Sequence, residues 1–265
     1  YMGRALVVRT AWLRTCLSGD PSERFDLPWA YRLALVTLRE GGAAAFVHVP
    51  VLAWHLTTAE PAVFAQASTA WQAMAAALQA HAQLAEPGSE VLEGPLPGSF
   101  HLLPPLPRTP LVSIIVPTRD QLPFLSRCIE SLLAKTAYPA FELLVVDNDS
   151  QTPEARDFLQ GLATVMPDRI RVLSAPGPFN FSRMNNLAVQ AARGEFVLLL
   201  NNDTAVLQAD WVGHMVRQGL RPGVGVVGAR LLFPDGRLQH AGVVVGLCGP
   251  ADHPLLGQPN DQPGY

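Results

Sequence analysis

Glu142-Leu143-Leu144-Val145-Val146-Asp147-Asn148-Asp149-Ser150 is a short apolar run that stops abruptly in a polar, acidic turn. Leu143 to Val146 has the length and unbroken hydrophobicity of a strand buried on both faces. Two other stretches share this layout. Val112 to Val116 runs into Pro117-Thr118-Arg119-Asp120, and Phe196 to Leu200 runs into Asn201-Asn202-Asp203-Thr204. Helical patterns separate them. Leu122 to Leu133 reads as an amphipathic helix, with Asp120 placed to cap it and Pro123 in its first turn. Thr152-Pro153 opens a second, Ser182 to Ala192 is a third, and a further helix starts near Asp210. Ile170 to Leu173 is another strand. Strands and helices in alternation imply an α/β domain with a doubly wound, mostly parallel sheet. Such sheets bind ligands beyond the carboxyl ends of their strands, where the three polar clusters fall.

Outward from this core, residues 86–110 are crowded with Pro and Gly, and read as a semi-extended linker with a boundary near Pro110. Before it, residues 61–85 form a helix. Pro61 sits in its first turn, and Phe64, Ala67, Trp71, Met74, Leu78 and His81 make one apolar stripe for packing. Residues 1–56 hold an apolar stretch (Ala5 to Val8), a helical pattern around Tyr31 to Leu38 stopped by Gly41-Gly42, and a strand-like stretch from Phe46 to Trp54. The expected organisation is therefore 1–60, 61–110 and 111–265.

Composition removes several classes of function. The chain has 265 residues, 49% hydrophobic and 15% charged, which supports a folded core and not disorder. A net charge of −3 gives no basic face for nucleic acid. Cys16, Cys128 and Cys248 are too scattered for a disulfide framework or a zinc site and read as buried thiols. No run of eighteen apolar residues exists to span a membrane. Gly223-Val224-Gly225-Val226-Val227-Gly228 fits a dinucleotide-binding pattern, but it sits inside a strand-like stretch, with strand and turn after it where a helix is needed. His240 reads equally as a structural histidine or as a contact to sugar or phosphate, and Asp252-His253 is too isolated to suggest a metal site.

Carboxylates at strand ends can accept hydrogen bonds from a base or a sugar hydroxyl. They can also ligate a hard divalent cation that bridges to phosphates. Asp and Asn also favour turns for local reasons, but three clusters at one edge of one sheet favour a ligand site.

In order along the chain, Val112–Asp120, Glu142–Ser150, Phe179-Asn180-Phe181-Ser182-Arg183-Met184-Asn185-Asn186, Ala192-Arg193-Gly194-Glu195, Leu198–Thr204, Pro234-Asp235-Gly236 and His240-Ala241-Gly242-Val243 resemble the family 2 glycosyltransferases that build polysaccharides and O-antigens. The resemblance covers residues 110–265. It implies a GT-A-like doubly wound sheet forming the nucleotide-binding half, with a smaller α/β segment and a helix ahead of it. It implies inverting transfer of a sugar from a UDP- or dTDP-sugar donor to a glycan or lipid-linked acceptor, in cell-surface polysaccharide synthesis. The expected location is the cytoplasm, with any membrane association peripheral at the inner face of the plasma membrane. Pro117 and Thr118 would lie beside the nucleoside and Asp147 would bond the base. Asn180, Asn186 and Asn202 would line the diphosphate and sugar path. Asp203 would hold Mg or Mn, although Asn201 stands where the family carries the first Asp of Asp-x-Asp, and Asp149 stands where it usually carries Gly.

The family's catalytic base belongs to a second half that would follow Tyr265, so no catalytic residue is assigned within this chain. Gly3–Arg9, Trp29–Leu35, His48-Val49-Pro50 and Trp54-His55 resemble that second half, as the tail of a preceding domain, with Trp29 and Ala30 in place of its acidic pair. An arrangement in which residues 1–56 fill the place of the second half, pairing Ala5 to Val8 with the sheet, is one alternative. A non-catalytic nucleotide-sugar-binding or scaffold module is the other.

Overall fold

The structure, a computed structural model, describes residues 8–16, 27–46, 69–94, 99–246 and 249–260. The chain divides into two compact units: Leu106–Val227, and Tyr1–Pro105 together with Gly228–Tyr265.

The amino-terminal part of the second of these units is helical. It contains α1 (Thr10–Cys16), α2 (Leu27–Gly41) and α3 (Thr69–Ala85). Helix α2 stops where glycine permits a left-handed residue. Gly42 has φ 65, and its N–H bonds the Leu38 carbonyl at 2.9 Å. Helix α3 buries Met74 and Leu78 of the expected stripe, and Ala82 outside it, with Trp71 and His81 half-buried. The segment read as a linker is more ordered than its Pro and Gly content suggests. It holds an antiparallel pair, β1 (Glu90–Glu93) and β2 (Phe100–Leu103). The pair is fastened to α3, which the composition alone does not register. Gln79 and Gln83 donate to the Ser89 carbonyl at 3.2 and 2.9 Å, and the Phe100 ring lies 5.3 Å from that of Trp71. Ala5 to Val7, most of the Phe46–Trp54 stretch and the expected helix start at Pro61 lie outside the described residues.

Residues 106–227 form the α/β unit. Its elements are β3 (Val112–Thr118), α4 (Leu122–Lys135), β4 (Phe141–Asp147), α5 (Pro153–Val165), β5 (Ile170–Ser174), α6 (Phe181–Ala191), β6 (Phe196–Leu199) and α7 (Trp211–Gly219). The four strands lie in the order β5-β4-β3-β6, all parallel. Side chains alternate across a strand, and the core divides accordingly. Val112, Ile114, Val116, Leu143 and Val145 pack on one face with Leu125, Ile129 and Leu132 of α4, Leu159 and Leu162 of α5, and Val212 and Val216 of α7. Ile115, Leu144 and Val146 pack on the other with Met184 and Ala188 of α6. Helices on both faces explain why β3 is buried at every residue.

At the amino-terminal edge of this sheet, polar groups form a closed lock. Glu142, only 2% exposed, accepts from Ser113 Oγ at 2.6 Å, the Arg193 N–H at 2.7 Å, Arg193 Nε at 2.8 Å and Arg171 Nη2 at 2.9 Å. Gly194 N–H donates to Ser113 Oγ at 2.8 Å. A Cβ on Gly194 would lie 2.6 Å from Ser113 N and 2.8 Å from the Leu111 carbonyl oxygen, both backbone atoms. The Ala-Arg-Gly-Glu motif is thus a clamp that seats β6 beside β3. Glu195 completes it by pairing with Arg108 at 2.5 Å.

The remaining strands belong to the unit of Tyr1–Pro105 and Gly228–Tyr265. Residues 224–230 form no strand, and Val226 is 91% exposed, so the strand expected around Gly223–Gly228 is absent. Among the described residues, no strand pairs with this stretch. Next come β7 (Leu231–Leu232) and β8 (Leu238–His240), antiparallel, then β9 (Val244–Val245) and β10 (Ala251–Asp252), also antiparallel. Asp235-Gly236 makes the turn between β7 and β8, with Gly236 at φ 85. His253 is not isolated. Its Nδ1 lies 3.0 Å from His240 Nδ1 and 3.2 Å from the Gly242 carbonyl, with the two rings edge-on at 4.8 Å.

Two outcomes follow from the lock. Gly194→Ala should lower unfolding stability by roughly 1–3 kcal/mol, because the contacted atoms are backbone and cannot swing away; urea denaturation followed by circular dichroism measures this. Burial alone would raise the Glu142 carboxyl, but the bonds from Ser113, Arg193 and Arg171 outweigh it and lower it from 4.5 to about 2. A folded-state value below the unfolded one means that this stabilisation is complete above pH 4.5 and is lost as pH falls towards 2. That interval corresponds to about 3 kcal/mol. Unfolding titrations from pH 6 to 2 should show wild type losing about that much more stability than Glu142→Gln.

Candidate functional site

All four parallel strands point their carboxyl ends the same way, which gathers the sequence clusters at one edge. Thr118 and Asp147 are register partners in β3 and β4, and Asp147 is in turn paired with Ser174 of β5. Strand β6 pairs with β3 only as far as Ile115, and then Asn201-Asn202-Asp203 leaves the sheet. Asn202 Nδ2 donates to Thr118 Oγ1 at 3.0 Å and ties the first cluster to the third.

Pro117 sits in the middle of the sheet, where proline is normally excluded because it lacks an N–H. The ladder explains it. Ile115 O accepts from Leu200 N on the β6 side, and Thr118 O accepts from Asn148 N on the β4 side. Alternation turns Pro117 towards β6, past the point where β6 has ended, so no ladder bond is lost.

The turn after β4 is tightly organised. Asp147 Oδ1 accepts from Ser150 N at 3.0 Å and from Ser150 Oγ at 2.5 Å. Asn148 is fully buried; its Nδ2 reaches the carbonyls of Ala175 at 2.7 Å and Gly177 at 3.1 Å, joining the β4 and β5 exits. Asp149 has φ 61, so it stands in the left-handed conformation that glycine adopts most cheaply and that Asp tolerates. Asp120 and Gln121, with φ 52 and 49, are the other non-glycine residues of positive φ among the described residues. All three flank this edge. Backbone held in rare conformations is a marker of functional loops.

Asp120 does not cap α4. That helix starts after Gln121 with no side-chain cap. The left-handed backbone turns Asp120 towards α5 instead, where Oδ1 accepts from Gln151 N at 2.7 Å, Thr152 N at 2.9 Å and Thr152 Oγ1 at 3.2 Å. The Thr152 and Gln151 backbone bonds hold its carboxyl below the usual range. Thr152 itself makes no side-chain cap to α5.

Asn180 caps α6, its Oδ1 accepting from Arg183 N at 2.9 Å. Arg183 in turn donates to the carbonyls of Ala175 and Pro176. Asn186 is exposed on α6 and makes no hydrogen bond to the other predicted residues among those described. Its neighbour Asn185 is the buried one, donating to Phe181 O at 2.8 Å. The structure therefore brings Pro117, Thr118, Asp147 and Asn202 together, with Asp203 adjoining. It leaves Asn180 joined only through the loop that Asn148 holds, and Asn186 apart.

After β6, Thr204 Oγ1 donates to Asn201 O at 2.7 Å, and Cys128 Sγ lies 3.7 Å from the same carbonyl. Burial, opposed by the Thr204 contact and assisted by the charge of Asp203, pushes the Cys128 thiol up, so it stays protonated. Asp203 is exposed and has no hydrogen bond or ion pair among the described residues. Nor do the described residues contain a group of three His, Cys, Asp or Glu side chains that would make a preformed cation cage. One free carboxylate does fit a Mg or Mn ion whose other ligands are phosphate oxygens and water. Ser150 and Asn148 are the connecting residues that sequence reasoning did not single out. The signal was a serine three residues after Asp147, within the two- to three-residue reach at which a side-chain oxygen takes a following backbone N–H, as at a helix N-cap.

Residues 113–241 match the family described as glycosyl transferase family 2. An uncharacterised protein of Sinorhizobium fredii is 49% identical over 175 residues, 66% of this chain and 19% of that protein. The O-antigen biosynthesis protein RfbC of Myxococcus xanthus is 44% identical over 188 residues, 71% of this chain and 14% of that protein. The chain thus spans a small part of the length of these relatives. Among solved structures, a mannosyltransferase of Pyrobaculum calidifontis in complex with GDP-Man and Mn2+ is similar at 20% identity and a TM-score of 0.41, over 75% of this chain and 46% of that one. Through residues 113–241 this chain belongs to glycosyl transferase family 2.

Proposed function

We propose that the edge formed by Thr118, Asp147, Asn202 and Asp203 is the donor site of a glycosyltransferase acting on a nucleotide-diphosphate sugar. The observation that carries this reading is the convergence of three strand ends on one edge, fixed by the Asn202–Thr118 bond. Asp147 offers a carboxylate oxygen to an N–H of the base, and uracil or thymine meets that requirement. Pro117 and Thr118 flank the nucleoside. Asn202 is expected on the diphosphate path; Asn180 and Asn186 are the less direct members of it, because Asn180 already caps α6.

Asp203 would hold a divalent cation, Mg or Mn, which when bound neutralises the diphosphate as it leaves. The protein's own contribution is positional. Thr118, Asp147 and Asn202 fix the nucleotide so that the anomeric carbon is open on the side opposite the diphosphate, as in-line displacement with inversion requires. The acceptor is a glycan or lipid-linked sugar and the setting is surface polysaccharide synthesis, a reading supported by the relative named for O-antigen biosynthesis. No helix among the described residues is long and apolar enough to cross a membrane. A cytoplasmic protein with peripheral membrane contact fits the proposed substrates. The replacement of a second metal carboxylate by Asn201 favours one other reading, a module that binds the nucleotide sugar without transferring it.

Calorimetric titration with UDP and dTDP, with and without Mn2+, tests the donor site. Binding is expected to require Mn2+ and to weaken at least ten-fold in Asp203→Ala, the loss of one charged contact. Absence of binding by wild type under every condition would contradict the reading. Metal-independent binding unaffected by Asp203→Ala would remove the cation from it.

A further inference from the structure

The Asp147 carboxylate is held asymmetrically. Both hydrogen bonds it accepts within the described residues, from Ser150 N at 3.0 Å and Ser150 Oγ at 2.5 Å, converge on Oδ1. Its Oδ2 accepts none. Ser150 is 2% exposed, so its hydroxyl is committed to the protein and not to solvent. Its other polar groups are engaged as well. Its Oγ accepts the Asp120 N–H at 2.8 Å, and its carbonyl accepts Arg156 Nε at 2.7 Å. Asp120, whose N–H reaches Ser150, has positive φ and is itself anchored through its side chain on Gln151 and Thr152, just ahead of α5.

The geometry points to Ser150 as a positioning residue for nucleotide recognition, acting through Asp147. This rests on the donor-site reading above. The chain from Asp120 N–H to Ser150 Oγ–H to Asp147 Oδ1 fixes the carboxylate in one rotamer. A free carboxylate can swing, and can accept with either oxygen. A pinned one offers a single acceptor in a single direction, which lowers the ordering needed on binding. That acceptor suits a base edge carrying an imino N–H, as uracil does at N3. Cytosine has a lone pair at the same place, which would face a carboxylate oxygen with no proton between them. Ser150 therefore contributes to selection of the base without touching it.

The test is a double-mutant cycle on the chain, with UDP and CDP as probes in the presence of Mn2+. Ser150→Ala is expected to weaken UDP about ten-fold, as for one charge-assisted hydrogen bond, and to narrow the preference for UDP over CDP. In the Asp147→Asn background the same substitution is expected to change UDP affinity less than about two-fold, because its effect runs through Asp147. Unchanged UDP affinity in Ser150→Ala, or effects that multiply fully in the double variant, would overturn the proposal. If Ser150→Ala does not fold, the near-isosteric Ser150→Cys, whose S–H is a weak donor, is read in the same way. If wild type binds no UDP, the donor reading fails. Crystal structures of wild type and Ser150→Ala then decide the positioning role alone: an Asp147 side chain that rotates or splits into two conformers supports it, and one that stays in place overturns it.

Discussion

The parallel alignment of β4 and β6 on either side of β3 is the constraint on which the rest depends. A strand covered by helices on both faces has no room for an unpaired polar group along its length. Polar side chains are driven to its two ends, and parallel pairing puts equivalent ends together. The clusters that begin at Thr118, Asp147 and Asn201 are 29 or more residues apart in the chain, yet register alone makes the first two neighbours. Nothing in any single cluster would create a site.

The two edges of the sheet carry similar residue types but are finished differently, and this separates structure from function. At the amino-terminal edge, Glu142 is closed by Ser113, Arg171 and Arg193, and Gly194 leaves no space for anything more. At the carboxyl-terminal edge, satisfaction is partial. Asp147 keeps one oxygen open, Asp203 is unpaired among the described residues, and three residues hold positive φ. A protein gains nothing in stability from such loose ends. They are what a site for a polar, anionic ligand requires.

Much of this was legible in the sequence. Apolar runs mark the strands and amphipathic spacing marks the helices between them, most plainly for β3 and β4, which are buried along nearly their whole length. Terminal residues of these elements shifted by one or two positions, because a strand such as β3 continues into its polar Pro117-Thr118 once its neighbour supplies bonds. What stayed hidden depends on contacts distant in the chain. Asp120 was expected on the helix beside it, but two left-handed residues aim it 31 residues ahead, at Gln151. The β1–β2 pair was masked by Pro and Gly, and by the fact that its support comes from glutamines on α3. Ser150 and Asn148 read in the sequence as ordinary turn residues, because their partners at Asp120, Ala175 and Gly177 lie about 30 residues away. Asp147 and Asp203 stand out in the sequence because each belongs to a polar cluster that follows an apolar run, and the family resemblance implies a role for both.

A nucleotide diphosphate seated at the edge holding 117–120, 147–150 and 201–204 would shield the backbone there. Hydrogen–deuterium exchange with and without UDP and Mn2+ addresses it most directly, because it reports where protection appears and does not depend on turnover. Slower exchange is expected in those three segments together, with the clamp at Glu142, Arg193 and Gly194 unchanged. Protection confined to other segments, or uniform along the chain, would contradict it.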